Sequence, residues 1–383
     1  MAGLLSISLL LAGLARAGDP PQASWPHTPE TDQHDPEATD EEVDANSDPR
    51  VAFLAWERRE MDLLHKAWPE GHPEPNYRFS AELYDSVAPL VAERPGVVQP
   101  FVVGRTVQGR PIWGFRVHQP TDEIHTKILI FAGIHALEWI STEVATDTLK
   151  DLIEHPRRGV EVVVIPVLNL DGRRRSERDF KLPEPRPYRR ANAHGVDLNR
   201  DFAYNRESDA VWKHVCPGFY YHSPAPLSQP ESQALDRLAS EGFDVSVSLH
   251  AFGGYVYWPW SGRWAPPPDR QNLAKIGQIM VEGMPDSNYQ NKELSRWGFF
   301  FRALGTELDH IYAKYGTYSY LIELTHSGIE PLHPETWHNH FRWYNPENPT
   351  KARAQGFGAM RALVSTASYE GLPPRPEPPG QPK

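Results

Sequence analysis

One cysteine, Cys216, stands in the chain of 383 residues, so no intrachain disulfide can form and no cysteine-rich metal site can exist. Nor does any apolar run reach the roughly 20 residues that a membrane-spanning helix needs. The longest, Leu4 to Leu14, sits at the N-terminus. No basic stripe with interleaved aromatics is present, which removes nucleic acid from the expected partners. A serine-hydrolase elbow of the GxSxG type is missing too. Gly104 and Gly109 have phosphate-loop spacing, but Arg110-Pro111 follows where Lys-Ser/Thr is required, so a turn is expected there instead. The net charge of −11 belongs mostly to one segment: residues 18–50 hold ten Asp/Glu against one Arg, and the rest of the chain is nearly balanced.

Met1 to Ala17, an apolar run closing on Ala15-Arg16-Ala17, reads as a signal peptide, and a secreted or periplasmic protein is expected. Residues 18–74 read as an acidic, Pro-rich leader that buries too little apolar surface to order itself, followed by a short amphipathic helix carrying Phe53, Leu54, Met61, Leu64 and Trp68. Residues 369–383 form a Pro-rich tail. Between them, residues 75–368 alternate β-rich runs with helical spacing. Strands are expected at Phe101–Val103, Ile112–Val117, Lys127–Ala132, Val160–Val167, Val245–Leu249, Tyr255–Trp258 and Tyr318–Leu324, and helices at Glu138–His155, Glu231–Leu238 and Lys351–Leu363. This predicts an α/β fold: a single layered domain with a mixed, mostly parallel twisted sheet flanked by helices.

A catalytic zinc site needs three side-chain ligands and an open position, with two ligands close in sequence so that one turn presents both. His135-Ala136-Leu137-Glu138 offers such a pair. The same HxxE spacing occurs at His27–Glu30 and His34–Glu37 in the acidic leader, so spacing alone decides nothing. The third copy differs in following a strand and opening a helix, where α/β sheets place ligands. Two further strands end near His250 and Glu323, and three strand ends can converge on one metal.

Five ordered segments resemble the zinc metallocarboxypeptidases over roughly Tyr77 to Leu363. They are Gly133 to Ser141, Asn169 to Gly172, Gly195 to Arg200, Ser248 to His250 and Ile322 to Leu324. The resemblance, to carboxypeptidase A-like peptidases and to a bacterial-type exported member in particular, implies one Zn²⁺ per chain held by His135, Glu138 and His250. It implies Glu323 as general base, Arg190 beside the developing oxyanion, Asn199 and Arg200 as the grip on a substrate's terminal carboxylate, and Asp197 as the carboxylate behind a zinc-bound histidine. Arg190 stands nine residues before Asn199, as the arginine does in one branch of the family; Arg189 and Arg186 are its rivals. The implied partner is a peptide with a free C-terminal carboxylate, and a monomer is expected.

Departures from the family pattern also carry expectations. Phe301 stands where the family has a tyrosine that closes over substrate, so weaker binding is expected. Leu137 replaces an arginine of the digestive branch. Leu308, before Asp309, corresponds to the floor of the pocket for the departing residue and favours an apolar or aromatic C-terminal side chain. Two rival functions stay open at this stage: an exported murein-peptide carboxypeptidase cutting next to diaminopimelate, and an inactive peptide-binding protein.

Overall fold

The computed structural model describes residues 48–183, 188–208, 214, 222–296, 302–326 and 339–380. The expected signal segment, nearly all of the acidic leader, Cys216, Arg186 and Phe301 lie outside the described residues. Eight strands, β1 (Val98–Arg105), β2 (Pro111–Val117), β3 (Thr126–Ala132), β4 (Val160–Ile165), β5 (Val245–Ala251), β6 (Tyr255–Trp258), β7 (Gln290–Glu293) and β8 (Tyr318–Leu324), make one sheet in the order β1-β2-β4-β3-β5-β8-β6-β7. The centre is parallel, with β3 between β4 and β5 and β5 beside β8. Antiparallel pairs lie toward the edges. β7, Gln-Asn-Lys-Glu, is absent from the sequence reading because it has no apolar residue to betray it.

Side chains alternate between faces along a strand, and the two faces have separate cores. Ile128, Ile130 and Ala132 of β3 join the larger core with the helices Trp139–Glu154, Arg270–Glu282 and Thr350–Tyr369, whereas Leu129 and Phe131 join a smaller one with Leu198, Phe202 and the helix Pro230–Ala239. In β5 and β8 the first face is apolar throughout: Val245, Val247, Leu249 and Ala251 beside Tyr318, Tyr320, Ile322 and Leu324. The opposite face carries Ser246, Ser248 and His250 in register with Ser319, Leu321 and Glu323. That file faces away from the larger core and runs to the carboxyl ends of the strands, where His250 and Glu323 stand.

The amphipathic helix is Pro49–Ala67, started by Asp48, whose Oδ1 accepts from the Arg50 amide at 2.9 Å. It docks through Phe53, whose ring meets Trp113 and Phe115 edge-on at 5.3 and 5.1 Å between centroids. Phe53→Ala should therefore destabilise the protein by about 3–5 kcal/mol, read from chemical denaturation; a change under about 1 kcal/mol would mean the helix is an appendage. The Pro-rich tail also returns to the domain. Tyr318 donates to the Pro374 carbonyl at 3.1 Å, and the Gly380 amide donates to Ala313 O at 3.0 Å.

Candidate metal centre and active site

At the end of β3 the chain reverses at Gly133, with φ +65°, where an added Cβ would meet Thr142 Cγ2 at 3.0 Å and the Val167 backbone at 3.3 Å. That left-handed turn is open to glycine and little else. It delivers His135, and three residues later Glu138 stands at the N-cap position of the helix Trp139–Glu154, its side chain making no capping hydrogen bond. The loop is pinned from behind by Asn169, whose amide donates to the carbonyls of Ile134 and Ala191 at 3.2 Å each. His250 and Glu323 arrive on neighbouring strands as register partners.

These pieces converge. The ligand atoms of His135, Glu138 and His250 lie within 4.8 Å of one another, and all three residues are buried. His135 Nδ1 is 2.7 Å from Glu138 Oε1, His250 Nδ1 is 3.2 Å from Glu138 Oε2, and the two Nδ1 atoms are 3.1 Å apart. Each histidine has a carboxylate at its other nitrogen: Asp197 Oδ1 is 3.1 Å from His135 Nε2, and Glu307 Oε1 is 3.1 Å from His250 Nε2. Such outer carboxylates fix ring orientation and raise ligand basicity. Asp197 divides itself further, accepting from the Asn199 amide at 3.0 Å with Oδ1 and from Arg190 Nε at 2.8 Å with Oδ2.

A search against family models matches the zinc carboxypeptidase model of the M14 peptidases over residues 83–342. The chain belongs to the zinc carboxypeptidase family. Mouse carboxypeptidase A2 is 25% identical over 316 residues, covering 75% of this chain and 74% of its own. Human carboxypeptidase A1 is 23% identical over 292 residues, covering 68% of each. In fold, this carboxypeptidase chain is similar to bovine thrombin-activatable fibrinolysis inhibitor solved with a tick carboxypeptidase inhibitor, at 19% identity, TM-score 0.60 and coverage of 77% of this chain and 98% of the other. It is similarly close to the carboxypeptidase A of Helicoverpa armigera, at 19% identity, TM-score 0.59 and 82% coverage of each. It is thus a hydrolase of the exopeptidase type, and its family binds zinc.

The donor set of this zinc carboxypeptidase suits that metal: two imidazoles and a carboxylate, buried and mutually within reach, beside Glu323 Oε2, which has no hydrogen-bond partner among the described residues. The electrostatics suit it as well. Burial pushes Glu138 toward the neutral acid, but His135 and His250 beside it hold its carboxyl below the usual carboxylate range. Burial pushes the proton off His250, yet Glu138 and Glu307 outweigh it and raise the pKa from 6.5 to about 10. The metal-free protein therefore binds a proton at His250 at neutral pH, and a metal must displace it. Zinc uptake near pH 7 should release a proton, and affinity should rise with pH toward 10. Calorimetry in buffers of different ionisation enthalpy measures this; a heat independent of buffer would contradict it.

The remaining sequence candidates have distinct places. Arg190 bridges Asp197 and stands 3.7 Å from Glu138 Oε1, whereas Arg189 is spent on Asp179 at 2.8 Å. Asn199 and Arg200 share one 3₁₀ turn with Asp197 at its N-cap. The Asn199 Oδ1 accepts from the Glu307 amide at 3.3 Å. Leu308 is buried against Tyr257 and Leu321. Three residues escaped the sequence reading. Tyr188 and Tyr344 bring their hydroxyls to 2.9 Å of each other, and Tyr188 also bonds Arg190. Glu307, one residue before the chosen Leu308, reaches His250; its signal was an acid opening a buried helix, two residues before a second acid, Asp309.

Proposed function

We propose that this protein removes the C-terminal residue from peptides, with zinc held by His135, Glu138 and His250 and with Glu323 as general base. The observation that carries the proposal is the register pairing of His250 with Glu323, a half-buried residue whose Oε2 is buried and has no hydrogen-bond partner among the described residues. Zinc bound there would supply Lewis-acid polarisation and activate a water, whose pKa at such sites falls to about 7. Glu323 takes a proton from the attacking water and returns it to the leaving amine. Arg190, held in place by Asp197, offers its guanidinium to the developing oxyanion. Asn199 and Arg200 receive the terminal carboxylate, the guanidinium fork matching it in shape and charge. Leu308, with Tyr257 and Leu321, supports apolar contact with the terminal side chain, whether an aromatic ring or the methylene stem of a longer one.

The test is release of free amino acids from peptides of varied C-terminus, with and without a zinc chelator, beside the same peptides amidated at the C-terminus. Hydrolysis should require zinc, and amidation should lower kcat/KM by about 10²-fold or more, because the half-buried Arg200 then loses its ionic partner. Equal cleavage of free-acid and amidated peptides would overturn the carboxylate anchor and the exopeptidase reading with it.

A further inference from the structure

Arg190 is tied to its surroundings at two points besides its charge. Its carbonyl accepts from the Ala136 amide at 3.1 Å, which joins its backbone to the turn His135–Glu138, and its Nε donates to Asp197 Oδ2 at 2.8 Å. A single side-chain bond fixes a point and not a plane, whereas a planar guanidinium must be aimed to meet an oxyanion. The Tyr188 hydroxyl supplies a second bond to this arginine. A guanidinium has donors only, so the Tyr188 oxygen accepts from it and the Tyr188 proton goes to the Tyr344 oxygen, 2.9 Å away. Burial raises both hydroxyls above the ordinary tyrosine range, which keeps the pair uncharged at neutral pH.

The far end of this chain of bonds is itself anchored to the metal ligands. The Tyr188 ring meets His340 edge-on at 5.7 Å and Tyr344 at 6.1 Å between centroids, both on the short helix His340–Tyr344. The next residue, the fully buried Asn345, fastens that helix to the metal turn. Its Oδ1 accepts from the Ile140 amide at 3.0 Å, and its Nδ2 donates to the Leu137 carbonyl at 2.7 Å, so it grips the chain on both sides of Glu138. The Tyr344 ring also rests on Phe252, two residues past His250, at 5.1 Å. The Tyr344 hydroxyl is thus placed relative to Glu138 and His250, and Tyr188 passes that placement on to Arg190. The family match ends at residue 342, before both Tyr344 and Asn345.

We propose that Tyr344, acting through Tyr188, is a positioning residue for Arg190: the two hydroxyls form a strut that sets the plane of the guanidinium relative to the metal ligands. The inference rests on the role given to Arg190 above and adds a second support to the one Asp197 provides. Neither tyrosine needs to touch the substrate for this.

The experiment measures kcat and KM of the zinc-loaded full chain on blocked dipeptides ending in Phe and in Lys, in the wild type, Tyr344→Phe, Tyr188→Phe and the double variant, with zinc affinity read by chelator competition. Each single variant should lower kcat by about 10–10²-fold, the effect of misplacing a group in the reaction. KM and zinc affinity should stay within about twofold, because the strut matters in the transition state. The double variant should be no slower than the slower single one, since either change breaks the same strut. Losses that multiply would overturn the strut, as would an unchanged kcat in either single variant. A merely structural role would instead weaken zinc binding or raise KM while kcat at saturation held, and that also overturns it. If Tyr344→Phe fails to fold, Tyr188→Phe decides, because it removes the shared bond from the other side.

Nitrogen NMR of labelled arginine, with Arg190 assigned through Arg190→Lys, reads the guanidinium without turnover. Hindered rotation in the wild type should give Arg190 separate Nη signals, and these should merge in the phenylalanine variants. If no peptide is cleaved, the exopeptidase reading fails by itself and this measurement decides alone. Signals that merge only in the variants uphold the strut; identical spectra overturn it.

Discussion

Glu323→Gln is expected to yield a folded protein that still binds zinc and releases terminal amino acids about 10²–10⁴-fold more slowly. The substitution keeps shape and hydrogen-bonding length while removing the ability to accept a proton, and the backbone of residue 323 stays tied to β5 and β6, its carbonyl accepting from Gly254 N at 2.9 Å. In the metal-free protein burial, and then the charge of Glu138, push the Glu323 carboxyl from 4.5 up to about 8. A divalent cation among His135, Glu138 and His250 would draw it back down, which favours the ionised form that the proposed base needs. The sign follows: wild-type activity should fall as pH drops through the loaded-state pKa of Glu323, and the residual rate of the variant should lack that acid limb. Turnover near the wild-type level would transfer the proton to another group, with Glu307 next in line.

The second large effect is expected at Asp197. Asp197→Ala should weaken zinc binding by about 10–100-fold through loss of the partner of His135. At saturating zinc it should still reduce kcat by about 10²–10³-fold, because Arg190 loses the oxygen that aims it. Burial would raise the Asp197 carboxyl, but Arg190 and His135 hold it well below the usual carboxylate range, so the charge is present at all working pH values. Asp197→Asn separates the two effects. Its carbonyl can still accept from His135, while its amide nitrogen meets the Arg190 guanidinium donor to donor, so zinc affinity should largely survive and turnover should not. Competition with a chelator and kcat in excess zinc read the two independently; unchanged kcat in the asparagine variant would remove Arg190 from the reaction.

Much of this was legible in the sequence because the strands that carry it are short apolar runs, and Val245–Leu249 and Tyr318–Leu324 recur almost unchanged as β5 and β8. His250 and Glu323 stood out as polar residues at the ends of such runs. Asp197 entered only through the family resemblance, and its hold on both His135 and Arg190 needed three segments brought together in space. The helix Arg270–Glu282 was missed because its buried positions, Leu273, Ile276, Gly277 and Met280, include a glycine and leave a thin apolar stripe. Leu308 entered through its correspondence to the family's pocket floor, and Glu307, one residue before it on the helix, points in a different direction. Only the fold shows which one meets the histidine.

The pairing of β5 with β8 has a bearing on how such a protein can change over time. His250 and Glu323 lie side by side only because both strands keep the same count of residues from their paired starts at Val245 and Tyr318. Inserting or deleting a single residue inside either strand would exchange its faces, sending His250 or Glu323 into the apolar layer and one of the apolar residues beside it toward the proposed metal site. Length variation among descendants of this sequence is therefore confined to the connections, and the two strands can diverge only by replacement, position for position.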